Sequence, residues 1–598
     1  MLCWGINLLF WGIYKRSSPI PLFVLYLNSL FVSMNNYEIA DHFSLLSKLM
    51  DIHGENSFKS RSYSIAAYHI ERLTAEAAAM DDAELFGAKG IGESIGKKIR
   101  EILATGRLQL LEDTIAKTPP GILEMLQIKG LGPKKIATIR TELGIESLGE
   151  LEYACNENRL TALKGFGAKT QESILQNIVY FKQNLGFHLW SEVEVIGNNL
   201  VAQLQKIHPA HLFSLTGDIR RQNETVEFIE LVTDMNKEVL AKMFSGNPDV
   251  KIEEHVADDT LNYSAMLTVI VPQYPRYRFY CTTKAQYYNA LFTTTGSAEF
   301  LAAFLKNYKL PGAPASEDEI FSVNNLAFIP SMQRETESSI VKAAKNTVSN
   351  FIQPADIRSI IHSHSTWSDG VHTIEQMAKA AKEKGFEYLV LSDHSQSAFY
   401  AGGLKPEQIA AQHQEIEALN AKLAPFKIFK SIESDILNDG SLDYSEQVLG
   451  TFDLVIASVH SNLKMSQEKA MDRVFTAIRN PYTAILGHPT GRLLLSRKGY
   501  PLDHKAIIDA CAENNVVIEI NAHPRRLDID WRWIDYAIDK GVLLSINPDA
   551  HSVEGYKDTY YGVMVAQKGG LTAAHNLSSF SLPQFEDFLK KYRAKRSS

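Results

Sequence analysis

Seven short apolar runs recur between residues 359 and 546, and six of them lead into His, Asp or Glu at their C-terminal ends. The runs are Ser359–Ile361, Tyr388–Leu391, Ile428–Ile432, Leu454–Ala457, Thr483–Leu486, Val516–Ile520 and Leu543–Ile546. The side chains that follow are His362 and His364, Asp393 and His394, Glu433 and Asp435, His460, His488, and Asp549 and His551. The sixth run departs from this, with Glu519 near its end and Asn521 after it. Strand-length runs alternating with helical sequence predict a parallel barrel, whose strand ends share one mouth. A lone core histidine is usually structural, but that reading does not explain six ligand-type clusters in phase. Imidazole and carboxylate without thiolate suit Zn²⁺, Mn²⁺ or Fe²⁺. Several such ions together activate water and stabilise the oxygen leaving a phosphate.

The amino-terminal half carries a different signal. Lys89-Gly90-Ile91-Gly92, Lys129-Gly130-Leu131-Gly132 and Lys164-Gly165-Phe166-Gly167 recur at steps of 40 and 35 residues. Each precedes a helical stretch, such as Pro133-Lys134-Lys135-Ile136. A Gly-hydrophobic-Gly turn lets backbone approach a phosphate, and the next helix aims its first N–H groups at it. The net charge is 61 − 69 = −8. That excludes coating nucleic acid by bulk charge but not gripping it by backbone N–H groups. An apolar fraction of 45% excludes a disordered or fibrous chain, and the length predicts roughly three to five domains. Cys3, Cys155, Cys281 and Cys511 are scattered, so free thiols and a reducing, cytoplasmic setting are expected.

The three phrases resemble helix-hairpin-helix motifs, which hold DNA backbone without reading sequence. Gly90, Gly92, Gly130, Gly132, Gly165, Gly167 and Lys134 are therefore expected at DNA. Phe58-Lys59-Ser60-Arg61-Ser62-Tyr63 and the first hairpin resemble the eight-kilodalton domain of family X DNA polymerases. Lys98 falls where lyase-competent members carry a Schiff-base lysine, though Ser94 replaces a partner lysine. The resemblance leaves Lys98 either a lyase or a phosphate contact, with Lys97 and Arg100 as neighbouring charges.

Residues 186–312 resemble a family X palm that has lost its carboxylates. Arg220-Arg221 and Glu224-Thr225 follow the family pattern, but its Gly-Ser has become Gly217-Asp218, and Phe228 and Glu230 stand where two metal aspartates belong. The third aspartate is missing from Ala265-Met266-Leu267-Thr268-Val269. Two-metal nucleotidyl transfer needs carboxylates to hold the ions, so the palm is expected to keep its shape and lose synthesis. Residues 313–355 read as a linker, opened by a Pro- and Gly-rich breaker run. Residues 1–33 read as an upstream extension, with Met34 the working start and a membrane anchor the alternative. Neither apolar run there reaches the roughly 20 residues of a span, and no membrane association is expected.

The C-terminal phrases resemble the PHP (polymerase and histidinol phosphatase) domain, a distorted seven-stranded barrel with three metals. They are His362 to Gly370, Ser392-Asp393-His394-Ser395, Glu433-Ser434-Asp435-Ile436, Ser458-Val459-His460-Ser461, Gly487-His488-Pro489-Thr490-Gly491-Arg492 and Asp549-Ala550-His551-Ser552. The resemblance assigns His362, His364, Glu433 and Asp549 to one divalent ion. A bridging Glu433 with His460 and His488 would hold a second, and Asp369, His394 and His551 a third. Mn²⁺ or Zn²⁺ is implied, with Fe²⁺ also compatible. Arg492 and Arg526 are expected to clamp phosphate. Asp435, Asp439 and Asp443 are expected to shape a polar loop, and His523 to ligate nothing.

The whole reads as multidomain α+β and α/β. A helical domain (34–115), hairpin fingers (116–185) and a palm/thumb (186–312) precede the linker and a (β/α)7 barrel (356–598). It resembles bacterial family X DNA polymerase fused to a PHP domain. The resemblance implies a repair enzyme acting as a metal-dependent 3′–5′ exonuclease on gapped, nicked or 3′-ended DNA, here with synthesis lost. An active gap-filling polymerase, a small-molecule phosphatase and a non-catalytic DNA scaffold are the alternatives. Oligomeric state is open, with a monomer expected.

Overall fold

The computed structural model describes residues 34–245, 250–256, 259–271, 274–348 and 350–596, so the expected upstream extension lies outside the described residues. Two compact units result. One is residues 190–348, and the other joins residues 34–189 to residues 350–596.

The hairpin region folds as short helices closed by local signals. Asn35 and Glu38 form a capping box at the start of helix Asn36–Ile52, and Ser147 and Glu150 do the same for Leu148–Asn156. The first glycine of each Gly-x-Gly turn has φ of 78, 89 and 88° at Gly90, Gly130 and Gly165, a left-handed conformation that disfavours side chains. The residue between the glycines is buried each time: Ile91, Leu131 and Phe166. Helices Gly92–Thr105, Pro133–Leu143 and Ala168–Asn184 follow directly. One apolar cluster runs from Ile39 to Ile178. Residues 34–115 and 116–185, expected as two domains, therefore share a core.

In the first unit, β1 (Phe213–Leu215), β2 (Phe228–Thr233), β3 (Lys251–His255), β4 (Ala265–Ile270) and β5 (Arg276–Cys281) form a sheet ordered β1-β2-β5-β4-β3. Only β2 and β5 run parallel, and they place Phe228 beside Arg276 and Glu230 beside Arg278. The expected linker is folded through most of its length. Ile320, Phe321, Ile329, Ile340 and Ala343 share a core with Phe292, Phe300 and Phe304. Its breaker run is a turn that ends on Ser316, which caps helix Glu317–Ser322. Glu317 is buried and paired with both Arg220 and the fully buried Arg334.

The barrel strands are β6 (Ser359–Ile360), β7 (Tyr388–Leu391), β8 (Lys427–Asp435), β9 (Leu454–Ser458), β10 (Ile485–Leu486), β11 (Val517–Asn521) and β12 (Leu544–Asn547). They pair in sequence order, all parallel. Each lies within one or two residues of its expected run, except that β8 extends to Asp435. A bridge between Ser363 and Ala550 ties the first strand end to the last at the mouth. Strands this buried read as continuous apolar runs because helices cover one face and the barrel core the other. Among the described residues, no helix is long and apolar enough to cross a membrane, and Cys155, Cys281 and Cys511 are buried and joined in no disulfide.

Candidate metal centre

The strand ends converge on Glu433. Its Oε1 lies 3.3 Å from His362 Nε2, 3.1 Å from His460 Nε2 and 3.0 Å from His488 Nε2. Its Oε2 lies 2.9 Å from His394 Nδ1. Asp549 Oδ1 faces His364 Nε2 at 3.0 Å and His362 Nε2 at 3.4 Å. Asp369 Oδ1 stands 3.4 Å from His551 Nε2 and 3.7 Å from His394 Nε2. Three groups have ligand atoms mutually within 4.8 Å: His362, His364, Glu433 and Asp549; His394, Glu433 and His460; and His364, Asp369, His394 and His551. The first is the expected set. The third is the expected set with His364 added. In the second, His394 stands where His488 was expected, although His488 still reaches Glu433.

Three of these residues leave their strands through left-handed backbone: His362 (φ 64°), His488 (φ 23°) and Asp549 (φ 52°). Such a conformation is uncommon outside glycine, and here it occurs at ligand-type side chains. Asp369 and His551 keep 29% and 39% of their side chains exposed, whereas His362 and Glu433 are buried. The centre therefore opens on the Asp369–His551 side, where the exposed Tyr400 also stands, 6.4 Å from the His394 ring.

A second layer sets the rings. Glu519 accepts from His362 Nδ1 at 2.6 Å, from the His488 backbone N–H at 2.6 Å and from Asn547 at 2.8 Å. Asp435 accepts from His460 Nδ1 and from Ser397 Oγ. This corrects its expected place in a polar loop, which fits Asp439 with its partner Ser441. Asp393 takes four hydrogen bonds, from Ser365 (N and Oγ), Ser368 and Gln412, and braces the loop carrying His364. A carboxylate behind an imidazole fixes its tautomer and leaves the other nitrogen facing inward. Glu519 and Asp435 had a signal in the sequence, since Asp435 ends β8 and Glu519 lies two residues before the end of β11.

The electrostatics follow. Burial opposes ionisation of Glu433, but His460, His362 and His394 outweigh it and hold the carboxyl well below its ordinary range. Burial, reinforced by His551 and His394, pushes His364 down to about 3. Against burial, Asp369 and Asp549 lift His551 to about 9, and Glu433 and Asp435 lift His460 to about 10. His362 Nε2, His364 Nδ1, His394 Nδ1, Glu433 Oε2 and His488 Nδ1 are buried without a well-formed hydrogen bond. Buried polar atoms are normally satisfied. The four on His362, His364, His394 and Glu433, gathered at one mouth, fit a donor set for divalent cations.

Arg492 does not present a free guanidinium. It donates to Arg526 O at 2.8 Å and to Leu527 O, and pairs with Asp530 at 2.9 Å. The loop thus takes up donors that were expected to clamp phosphate. Arg526 instead reaches the centre, with Nε 3.8 Å from Asp549 Oδ2. His523 lies outside the three groups. In the hairpins, Gly132 and Gly167 cap the helices that follow, and Lys134 lies in the first turn of its helix. Lys98 is 3.4 Å from Ser94 O. Lys97 is paired with Glu93, and Arg100 with Asp82 and the carbonyls of Ala77 and Met80. The two expected helpers of Lys98 are thus engaged elsewhere.

The palm site is filled from within. A Cβ on Gly217 (φ 62°) would lie 1.7 Å from Glu230 Oε2, so only glycine fits there. Glu230 accepts from the Asp218 N–H at 3.2 Å and from Tyr280 at 2.8 Å. Burial raises the Glu230 pKa, against Tyr280 and Arg278. Phe228 lies under Arg278 at 3.6 Å and Arg276 at 4.5 Å. Arg220 and Arg221 are spent on Glu317 and on Glu335 and Asp218.

A PHP domain model matches residues 361–523, a helix-hairpin-helix domain residues 34–108, and a SAM-like helix-hairpin-helix tandem residues 122–178. The chain is 32% identical to the DNA polymerase/3′–5′ exonuclease PolX of Bacillus subtilis (strain 168), over 93% of this chain and 100% of that protein. This chain belongs to the PolX family. A probable phosphatase of Thermoanaerobacter sp. (strain X514) is 26% identical over 39% of this chain and 95% of its own length. The probable phosphatase YcdX of Escherichia coli O81 (strain ED1a) is 27% identical over 32% of this chain and 78% of its own. PolX membership spans hairpins, palm and barrel together, whereas these shorter relatives match about a third of the chain.

Proposed function

We propose that this PolX member is a DNA repair phosphodiesterase, a metal-dependent 3′–5′ exonuclease and 3′-end processor that no longer synthesises DNA. The observation that carries the reading is the contrast between its two sites. Nine His, Asp and Glu side chains gather at the barrel mouth, while of the positions where palm aspartates are expected only Glu230 carries a carboxylate, and it is folded onto Gly217. Three divalent ions, Mn²⁺ or Zn²⁺, are assigned to the nine. His362, His364, Glu433 and Asp549 would hold one, Glu433 with His460 and His488 a second, and Asp369, His394 and His551 a third. When bound, such ions supply Lewis acidity toward a phosphodiester and lower the pKa of water.

The chain's own residues do the positioning. Glu519 and Asp435 hold His362 and His460 by Nδ1, so that each Nε2 points inward. Asp549 is held through Oδ2 by Asn521 at 3.1 Å, which leaves Oδ1 to the centre. Arg526 places a guanidinium beside Asp549, where a phosphate oxygen can accept from it. The glycine hairpins hold the DNA backbone.

The test is a 5′-labelled gapped duplex with Mn²⁺ and dNTPs, comparing the full chain with His362→Ala. Shortening by the wild type, lost in the variant, without extension, is the expected result. No nucleotide loss by the wild type overturns the nuclease reading. Extension abolished by Glu230→Ala overturns the loss of synthesis. The shorter relatives, described as probable phosphatases, favour a second reading, a small-molecule phosphatase. Histidinol phosphate hydrolysis without DNA degradation would carry that one instead.

A further inference from the structure

We propose that cationic residues from the second hairpin and from two barrel loops form a phosphate track, which guides a single DNA strand to the metal centre. The proposal rests on the exonuclease reading above. Helix Ala168–Asn184 turns Ser173, Asn177 and Tyr180 to one side, at steps of four and three residues. Each meets a lysine segment. Lys464, in the loop after β9, donates to Ser173 Oγ. Asn177 donates to the carbonyl of Lys129 at 2.7 Å, at the second hairpin. Lys498, in the loop after β10, lies 5.5 Å from the Tyr180 ring. Arg497 sits beside Lys498 and donates to Gly491 O at 3.0 Å.

None of Lys129, Lys464, Arg497 and Lys498 has a carboxylate within ion-pair distance among the described residues. Some lysines elsewhere on the molecule, among them Lys97, Lys182, Lys422 and Lys430, do have one. The cations disturb each other. Partial desolvation of an otherwise exposed side chain, with the charges of Arg497 and Lys464, holds the Lys129 ammonium below its ordinary range. Burial and the neighbouring Arg526 act on Arg497 in the same direction. A surface that repels itself, on a chain of net charge −8, is relieved by a polyanion.

The order of the cations gives direction. Lys129 opens the Gly130-Leu131-Gly132 turn, Arg497 neighbours Arg526, and Arg526 touches the centre through Asp549. A single phosphate would meet only one of these groups. A strand carries a charge at every nucleotide and meets them in succession. The hairpin then serves as the far end of a path that finishes at the cleavage site.

The experiment uses the full chain and the charge reversal Lys129→Glu/Lys464→Glu. Both side chains are exposed, so the reversal leaves the core alone. Binding of a fluorescein-labelled single strand is followed by anisotropy in EDTA across a salt series. Mn²⁺-dependent hydrolysis is measured on that strand and on thymidine 5′-(p-nitrophenyl phosphate), a small diester. Strand affinity is expected to fall by at least about tenfold. The slope of log K against log[salt] should flatten by about 1.4, two contacts at about 0.7 each for single strands. Loss of kcat/KM on the strand should exceed the loss on the small diester by about tenfold or more. Lys129→Gln/Lys464→Gln should move the same way by less. Unchanged affinity and slope, or equal losses on the two substrates, overturn the track. A wild type that binds through these lysines but hydrolyses neither substrate overturns the exonuclease reading and leaves the track standing.

Discussion

Glu519→Gln tests how the first metal group is held. Glu519 is fully buried and accepts at both oxygens. Oε1 takes His362 Nδ1 at 2.6 Å and Asn547 at 2.8 Å, and Oε2 takes the His488 N–H at 2.6 Å. Glutamine keeps the shape but exchanges one acceptor oxygen for an NH₂. Turned one way, that NH₂ faces the His488 N–H. Turned the other way, it faces His362 and Asn547, and His362 can meet it only by moving its proton to Nε2. That is the nitrogen directed at Glu433 and Asp549, and a protonated nitrogen binds no metal. An unmet buried donor costs about 1–3 kcal/mol. Loss of the carboxylate behind a ligand imidazole typically costs about 10–100-fold in metal affinity or activity, or about 1.4–2.8 kcal/mol. The two figures agree in size. Calorimetric Mn²⁺ titration of the full chain should therefore show affinity about 10–100-fold weaker than wild type, with hydrolysis falling in parallel. Affinity within about threefold of wild type would refute the claim that Glu519 orients His362.

Further outcomes follow from other regions. Against burial, Arg334 and Arg220 hold Glu317 at about 2. A depressed carboxylate contributes stability above its unfolded pKa of about 4.3 and loses it as pH falls toward 2. Glu317→Gln should thus lower the melting temperature of the 190–348 unit at pH 7, by a destabilisation of about 3–5 kcal/mol, and the gap from wild type should narrow by pH 3 in a thermal scan. Gly130→Ala and Gly165→Ala meet no neighbouring atom within 4 Å but force alanine to φ near 89 and 88°. Each should cost about 1–2 kcal/mol of local stability and weaken DNA binding by anisotropy, with the barrel's Mn²⁺ affinity intact. Asp435→Asn removes the charge behind His460 and should weaken Mn²⁺ binding in the same calorimetric assay, by about tenfold.

The barrel was legible because its signals are local. An apolar run of a few residues followed at once by His362 and His364, or by Asp393 and His394, states both strand and ligand within a short stretch. The supports were harder to read, since they span great sequence distances. His362 and Glu519 are 157 residues apart, and no spacing rule links them. The segment 313–355 read as a linker because Pro311, Gly312 and Pro314 break pattern. Its folding rests instead on Arg334, buried by pairing with Glu317, and on apolar residues contributed to a shared core. The sequence places Phe228 and Glu230 where the resemblance expects palm aspartates. The placing of Glu230 against Gly217 was not legible there, because it depends on how β2 meets the turn before it.

The left-handed backbone at His362, His488 and Asp549 has a consequence for engineering. Each such residue costs about 1–3 kcal/mol, so the three together weigh several kcal/mol against a domain's typical 5–15 kcal/mol, taken roughly. Glycine and asparagine adopt these angles more easily. A selection for heat resistance alone would therefore favour His362→Gly, His488→Gly and Asp549→Asn. It would return a sturdier barrel stripped of three proposed ligands, because these strained positions are also those the proposed chemistry needs.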